Sequence, residues 1–574
     1  GRTIKTGLTA AAIVSAWTWA ATLLQSSTVA YQYGISGPFW YAAGASIQVL
    51  LFGILAIELK RKAPNAHTFL EIIRARYGNG SHKVFLVFAL MTNMIVTAML
   101  LLGGSAVVNG LTGMDISLAA FLIPVGVMIY TLVGGLKATF VADYMHTIII
   151  FVTILTFVGA VYINTDITGG VEGMYDKLVL AAQINPVEGN AAGAFLTMAS
   201  AGGLMFGIIN IVGNFGTVFV DQAYWQRAIA AKPSSTVKGF LLGGACWFAI
   251  PFTLATTMGL TAIALDVDLT DQQAQMGLVV PAAATALMGE IGAIMVLTML
   301  FMAVTSAGSA ELIAVSSLVT YDLYRTYKNP NATGKQLVKV SRITIVIFGI
   351  GMGGLAVVLL GMGLSLGFVY LAMGILIGSA VVPIALTILW KRTNRVAATA
   401  GAIIGLLIST TTWVAVASSL PEYGGVVDLA SLGNNYSMLF ANIAGIISGG
   451  IIAIVGSMAV KSTFNWSDLK DKITLVEMSA AESATVTEDE ETLKKAFKFS
   501  VRGGGLMTLI LIIVWPMPLI ASGYVFELGS YAVWVAISII WVSVASAFII
   551  FLPLIEARHG IAKVFRGGDK AQSA

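Results

Sequence analysis

Charge is what this sequence has least of. Asp, Glu, Lys and Arg together make up 10% of its 574 residues, against roughly 25% in ordinary soluble proteins. So few charges cannot cover a water-exposed surface of this size, which excludes a soluble enzyme, a nucleic-acid binder or a disordered scaffold. The single cysteine, Cys246, excludes an internal disulfide framework and a cysteine-based metal site. Its apolar neighbours predict a small buried side chain. No polar stretch is long enough to fold into a separate soluble domain. No cleavable signal peptide is visible. The chain opens on Gly1 rather than on methionine, so further residues are expected before it.

What the sequence has instead is apolar length. Hydrophobic residues make up 57% of the chain and the mean hydropathy is +0.88. The apolar residues fall in blocks long enough to cross a bilayer as helices: 7–30, 39–58, 84–110, 116–134, 144–163, 194–220, 239–263, 290–320, 341–361, 365–390, 397–419, 437–460, 504–524 and 531–555. Fourteen spans in an all-α polytopic membrane protein are therefore expected. The formal charge of +4 says less than where the basic residues sit. If the N-terminus is cytoplasmic and the loops alternate, Lys60, Arg61, Lys62, Arg74, Arg76, Arg227, Lys232, Arg325, Lys391 and Arg395 all fall inside. Of the 32 Lys and Arg, only Lys177 falls outside. The outer loops are acidic, with Asp166, Glu172, Asp176, Asp266, Asp268 and Asp271. This bias predicts cytoplasmic N- and C-termini.

Spans one to five begin inside and spans six to ten begin outside, the geometry of an inverted repeat. The expected organisation is a first five-helix unit over 7–165, a second over 194–390, two accessory helices over 397–460, a cytoplasmic acidic linker over 461–503, and two further helices with a tail over 504–574. The linker holds Glu488-Asp489-Glu490-Glu491 and reads as a solvated connector, with phosphorylation by a regulatory kinase around Thr487 as the alternative. The sequon at Asn435 abuts a span, and those at Asn331 and Asn465 lie on the inner side, so no glycan is expected. Nothing in the sequence sets an oligomeric state.

Polar residues inside apolar spans are costly and mark function. In span one, Ser15, Thr18, Thr22 and Gln25 share a helical face. Ser and Thr hydroxyls can bond back to their own helix, but Gln25 cannot be dismissed so. In span six, Asn210, Asn214, Thr217 and Asp221 share a face, and Gly213 and Gly216 permit a break around Asn214. In span eight, Ala303, Ser306, Ala307, Ala310 and Glu311 form one stripe. A carboxylate in mid-span must be paired, protonated or bound to a cation, so Glu311 is the leading candidate. Asp143 starts span five, as either a vestibule carboxylate or an N-cap.

Several motifs carry a resemblance. Gly134-Gly135-Leu136-Lys137-Ala138 followed by Asp143, Asp221-Gln222 with Gln226-Arg227 and Ala230-Ala231-Lys232, and Ser316-Ser317 with Asp322-Leu323-Tyr324 resemble those of the sodium:solute symporter family. The likeness covers spans one to ten and extends along the chain. Trp17-Thr18-Trp19-Ala20-Ala21-Thr22, Ser36-Gly37-Pro38-Phe39-Trp40-Tyr41 and Lys62-Ala63-Pro64-Asn65-Ala66-His67-Thr68 are similar to the urea-carrying members of fungi and plants. The resemblance implies a leucine-transporter-like fold, an inverted five-plus-five helix repeat with helices one and six broken, and one more helix before the first span. It also implies urea as substrate, the plasma membrane as location, no cofactor and no enzymatic activity. The family's sodium site falls on Ser15, Thr18, Ala303, Ser306 and position 307, where Ala307 removes a hydroxyl ligand. A hard cation prefers a full oxygen shell. A proton needs one titratable group, and Glu311 lies one turn away. The resemblance thus implies H+ as coupling ion, with Na+ as the alternative. It places a cation-release aspartate at Asp143 and a substrate-binding asparagine at Asn214.

Urea is small, planar and neutral, with N–H donors on both sides of a carbonyl. Gln25 and Asn214 supply acceptors and a donor, Thr217 adds a hydroxyl, and Trp19, backed by Trp17 or Tyr370, supplies a flat wall. Competing readings are a sodium symporter of another small solute, a polyamine carrier, a channel and a nutrient sensor. Broken helices and an intramembrane carboxylate favour alternating access over a pore, and no signalling module is present.

Overall fold

The computed structural model describes residues 4–460, 463–473 and 490–565. The segment around Thr487, with Glu488 and Asp489, lies outside the described residues. Among those described, thirteen helices are long and apolar enough to cross a membrane, and a bent pair makes a fourteenth. The only strand-like pairings among them are isolated bridges. In hydrocarbon a helix satisfies its own backbone hydrogen bonds, which is why apolar length alone dictates helix here.

The bent pair is α1, Thr6–Trp17, and α2, Ala20–Tyr33, which meet at 60°. Thr18 and Trp19 between them leave helical geometry, with ψ of 86° and 172°. Then follow α3 (Ser36–Lys62), a short α4 (Phe69–Tyr77) and α5 (Asn79–Thr112). The two apolar stretches expected as spans four and five lie on one long helix, α6, Ile116–Tyr162. Asp143 is therefore inside a helix and caps nothing, because the backbone between the two stretches stays helical. α7 (Gly170–Ile184) lies between α6 and the second unit. α8 (Ala201–Phe219), α9 (Gln222–Ala230) and α10 (Pro233–Leu254) come next.

Helix six is interrupted, but not where its glycines suggested. α8 runs unbroken through Gly213 and Gly216, and the break falls at Val220 and Asp221. The two glycines serve close packing: a Cβ on Gly213 would come within 2.6 Å of Met373 and one on Gly216 within 2.5 Å of Ile377. The Asp221 carboxylate instead starts the new helix, accepting the Ala223 N–H at 2.7 Å.

α11 (Val279–Ser317) kinks at Gly289, whose φ of 60° lies in the left-handed region, and crosses from there, as expected for a span starting near 290. α12 (Gly334–Gly361), α13 (Leu366–Ile377), α14 (Val381–Leu389), α15 (Arg395–Ser419), α16 (Asn435–Ala459), α17 (Glu490–Leu509) and α18 (Leu528–Phe565) complete the chain. The central helix is α3, with 89% of its apolar window buried, against 17% for the window in Glu490–Ala521. α3 packs on α8 and α10, α6 on α11, and α15 along α16.

Residues expected on one side of the bilayer meet one another. Lys60 donates to Ile229 O and Ala231 O at 2.7 and 2.8 Å, Lys62 to Ile388 O at 2.6 Å, and Arg76 to Thr387 O and, at 2.7 Å, to Thr393 O. Apart from Thr393, which lies in the loop after α14, these are carbonyls at the C-terminal ends of α9 and α14, where helices leave carbonyls without an intrahelical partner. At this end Glu71 also accepts the His67 N–H at 2.7 Å. Burial works against its charge, but His67 outweighs it and holds the carboxyl below the usual carboxylate range. At the opposite end Ile35 N–H bonds Phe195 O, Asn435 Nδ2 bonds the Tyr33 hydroxyl, and the Thr197 hydroxyl bonds Tyr524 O, at 2.8–2.9 Å. Cys246 is buried and unbridged.

Candidate transport and coupling site

The helix break exposes backbone groups that aromatic and hydroxyl side chains then occupy. The Thr22 hydroxyl accepts Trp19 N–H and donates to Trp17 O, both at 3.0 Å. The indole N–H of Trp19 bonds Ala16 O at 2.8 Å and that of Trp17 bonds Ala45 O at 2.7 Å. The two rings meet edge to face with centroids 4.7 Å apart, and Trp17 also contacts Tyr224 and Trp247. A run of rings continues from Trp247 to Tyr41 and on to Tyr370. Tyr370, Tyr41 and Phe206 stack nearly parallel, with interplanar angles of 13–22°.

Asn214 sits beside this stack. Its Nδ2 reaches Asn210 O at 2.8 Å, Asn210 Oδ1 at 2.5 Å and the Tyr370 oxygen at 3.2 Å. The Tyr370 hydroxyl donates to Asn210 Oδ1 at 2.5 Å, and Asn210 Nδ2 is held by Trp40 O and Tyr41 O. Asn214 and Tyr370 are thus brought together. Thr217 turns back to its own helix, to Gly213 O and Asn214 O at 3.4 Å. Gln25 makes no bond to Asn214. Its Oε1 is buried without a partner and lies, with Gln275 Oε1, where a Cβ on Gly367 would sit. Gln275 was missed in the sequence because it stands on a short helix, Asp271–Gln275, outside any apolar span. Trp19, Gln25, Asn214 and Tyr370 are all at most 2% exposed, so a solute reaches them only when the helices move.

The stripe on α11 splits into two clusters. In the first, Ser306 Oγ lies 2.7 Å from Ser15 Oγ and donates to Asp143 Oδ1 at 2.6 Å, while Arg227 Nη2 stands 3.4 Å from Asp143 Oδ2. Thr18 turns its hydroxyl to Val14 O at 2.6 Å. Ala303 and Ala307 are fully buried and bring no side-chain oxygen. The second cluster joins Glu311 to partners the sequence stripe did not indicate. Asn93 Nδ2 donates to Glu311 Oε2 at 2.6 Å and to Asp221 Oδ1 at 2.8 Å. No apolar-span argument singles out Asn93, an amide in the middle of α5. The sequence marks Asp221 as a face residue of span six and as part of a family motif, but not as a partner of Glu311.

Comparison with known proteins agrees with this architecture. The model of the sodium:solute symporter family matches residues 1–405. The chain is 53% identical to the urea-proton symporter DUR3 of Oryza sativa subsp. japonica, over 99% of this chain and 80% of that protein. It is 40% identical to the urea active transporter of Saccharomyces cerevisiae, over 99% of this chain and 86% of that one. Among solved structures, a Na+-coupled sialic acid symporter in a substrate-bound outward-open state superposes with a TM-score of 0.62 at 16% identity, covering 81% of this chain and 92% of that one. That likeness establishes the leucine-transporter-like fold, and the family model and the close relatives make the chain a membrane transporter rather than an enzyme. With the family model matched over most of its length and close relatives along nearly all of it, this chain belongs to the sodium:solute symporter family.

Proposed function

We propose that this protein carries urea into the cell, driven by a proton gradient through alternating access. The observation that carries the reading is Glu311: a carboxyl 2% exposed, on the helix where the family's sodium ligands would lie, in a chain that has Ala307 at one ligand position. The Ser15–Ser306–Asp143 cluster supports it from the other side. Arg227 already stands against Asp143, so the carboxylate beside Ser306 already has a cationic partner, and the Thr18 hydroxyl is turned to Val14 O. A hard cation would find few oxygens there, whereas a proton needs only one titratable group. The names of the relatives, a urea-proton symporter and urea active transporters, agree.

The substrate groups fit a small planar amide. Asn214 and the Tyr370 hydroxyl offer paired donor and acceptor positions, and the Tyr41–Tyr370–Phe206 stack offers flat faces. Gln25 and Gln275 lie together toward the end where the acidic loops meet, and serve as an earlier contact on the entry path. In this reading residues 7–165 and 194–390 are the two inverted units, the basic end faces the cytoplasm of a cell whose plasma membrane holds the protein, and Asp143 lies on the exit path. Radiolabelled urea uptake into proteoliposomes, with proton and sodium gradients imposed separately, tests it. Accumulation driven by the proton gradient in sodium-free buffer is expected; accumulation that needs sodium and ignores pH overturns it.

A further inference from the structure

We infer that Glu311 does not carry its proton alone: Asp221 and Glu311, bridged by the carboxamide of Asn93, form a single proton-binding site at the junction of three helical elements. The inference rests on the proton-coupled reading above and deepens it.

The geometry assigns each group a part. Asp221 Oδ1 accepts both the Ala223 N–H, at 2.7 Å, and Asn93 Nδ2, at 2.8 Å. The first donor is the N-terminus of α9, where the helix dipole favours negative charge. Both donors favour the charged form of Asp221 over its acid. Glu311 Oε2 has Asn93 as its donor, at 2.6 Å, and brings the exchangeable proton. Asp221 Oδ2 is buried with no donor, and it is the acceptor that a proton on Glu311 requires. Asn93, Asp221 and Glu311 are 0–2% exposed, so bulk water does not screen two like charges here.

The charge count points the same way. The other ionisable groups around the pair are Arg227 and Tyr224 on α9 and, beyond the guanidinium, Asp143 on α6. Three carboxyl groups thus face one guanidinium, which stands against Asp143. The Asp221–Glu311 pair lacks a counter-ion of its own, and a proton supplies the missing positive charge. Asn93 is on α5, Asp221 on the break between α8 and α9, and Glu311 on α11. Any movement of α9 against α11 separates the pair and changes its hold on the proton, which links protonation to helix movement.

The test is the external-pH profile of urea uptake by the full chain in proteoliposomes. The like charge of Asp221 makes Glu311 harder to deprotonate, so Asp221→Asn should move the half-maximal pH downward by about one unit or more. Asn93 donates to the anionic form, so Asn93→Leu should move it upward by a similar amount. Opposite shifts are not produced by general loosening of the fold. Profiles of both variants that superpose on the native one, or that move together, overturn the inference while leaving proton coupling intact. A native profile that is flat with pH and dependent on sodium overturns the proton reading instead. Should Asp221→Asn fail to fold, as judged by the absence of urea counterflow, Asn93→Leu and the native protein decide. Infrared difference spectra of the native protein between acid and alkaline samples should contain a protonated-carboxyl band that Glu311→Gln removes. A band that survives Glu311→Gln unchanged overturns the assignment.

Discussion

The hydroxyl of Ser306 stands between two oxygens, 2.7 Å from Ser15 Oγ and 2.6 Å from Asp143 Oδ1. It thereby ties α1, next to the helix break, to α6 through α11. The bond to Asp143 is to a carboxyl, worth about 1.5–3 kcal/mol, and the bond to Ser15 is neutral, worth about 0.5–1.5 kcal/mol. Ser306→Ala should therefore slow urea uptake by about tenfold or more, and Ser15→Ala by less. Initial rates normalised to reconstituted protein check the order, and a larger loss in Ser15→Ala contradicts it.

Replacing Asn214 with Ala removes the amide that meets Asn210 and Tyr370. One hydrogen bond lost in a buried site costs about 1–3 kcal/mol, so uptake at low urea should fall about tenfold or more. Tyr370→Phe keeps the ring stack and removes only the hydroxyl, and should fall less. Uptake at several urea concentrations separates an effect on affinity from one on maximal rate. Native affinity in Asn214→Ala would remove Asn214 from the substrate site.

Glu311→Gln keeps the shape of the side chain and abolishes its titration. Proton-driven accumulation should disappear, while counterflow, which needs no net proton movement, reports whether the protein is folded. Ala307→Ser restores the hydroxyl where the family places a sodium ligand and should introduce some sodium dependence. Full accumulation by Glu311→Gln under a proton gradient alone would rule out Glu311 as the carrier.

Topology is checked with epitope tags. Tags after Lys62 and after Lys391 should be reached by antibody only in permeabilised cells, and a tag near Asp268 in intact ones. The opposite pattern reverses the charge-based orientation.

Packing gives a prediction independent of transport. A Cβ on Gly374 would fall 2.0 Å from Asn442 Oδ1 and 2.9 Å from the Gly213 backbone N, whereas the nearest atoms to one on Gly213 belong to the flexible Met373 side chain. Overpacking costs about 1–3 kcal/mol. Gly374→Ala should lower the unfolding temperature in detergent measurably more than Gly213→Ala. Equal changes would mean that α8 and α13 separate easily.

Sequence by itself determined the membrane class, the number and placement of spans, and the two-sidedness of the charge. These are local properties: a bilayer demands apolar length and internal backbone bonding of each segment separately, and positive charge is counted loop by loop. The i, i+4 relation of Asn210 to Asn214 was legible for the same reason. Partners across helices were not. Asp221 and Glu311 are separated by 128 and 218 residues from Asn93, the amide that joins them, and no periodicity links positions so far apart. Asp143 was open between cap and vestibule until the continuous α6 excluded the cap. Gly213 and Gly216 carried the composition of a break, but Met373 and Ile377 pack so closely on them that the helix continues there. The break falls instead at Val220 and at Asp221, whose carboxylate caps α9. Tertiary packing decided which polar residue meets which, because in a bundle of near-equivalent apolar helices only the crossing geometry brings distant carboxyl groups onto one amide.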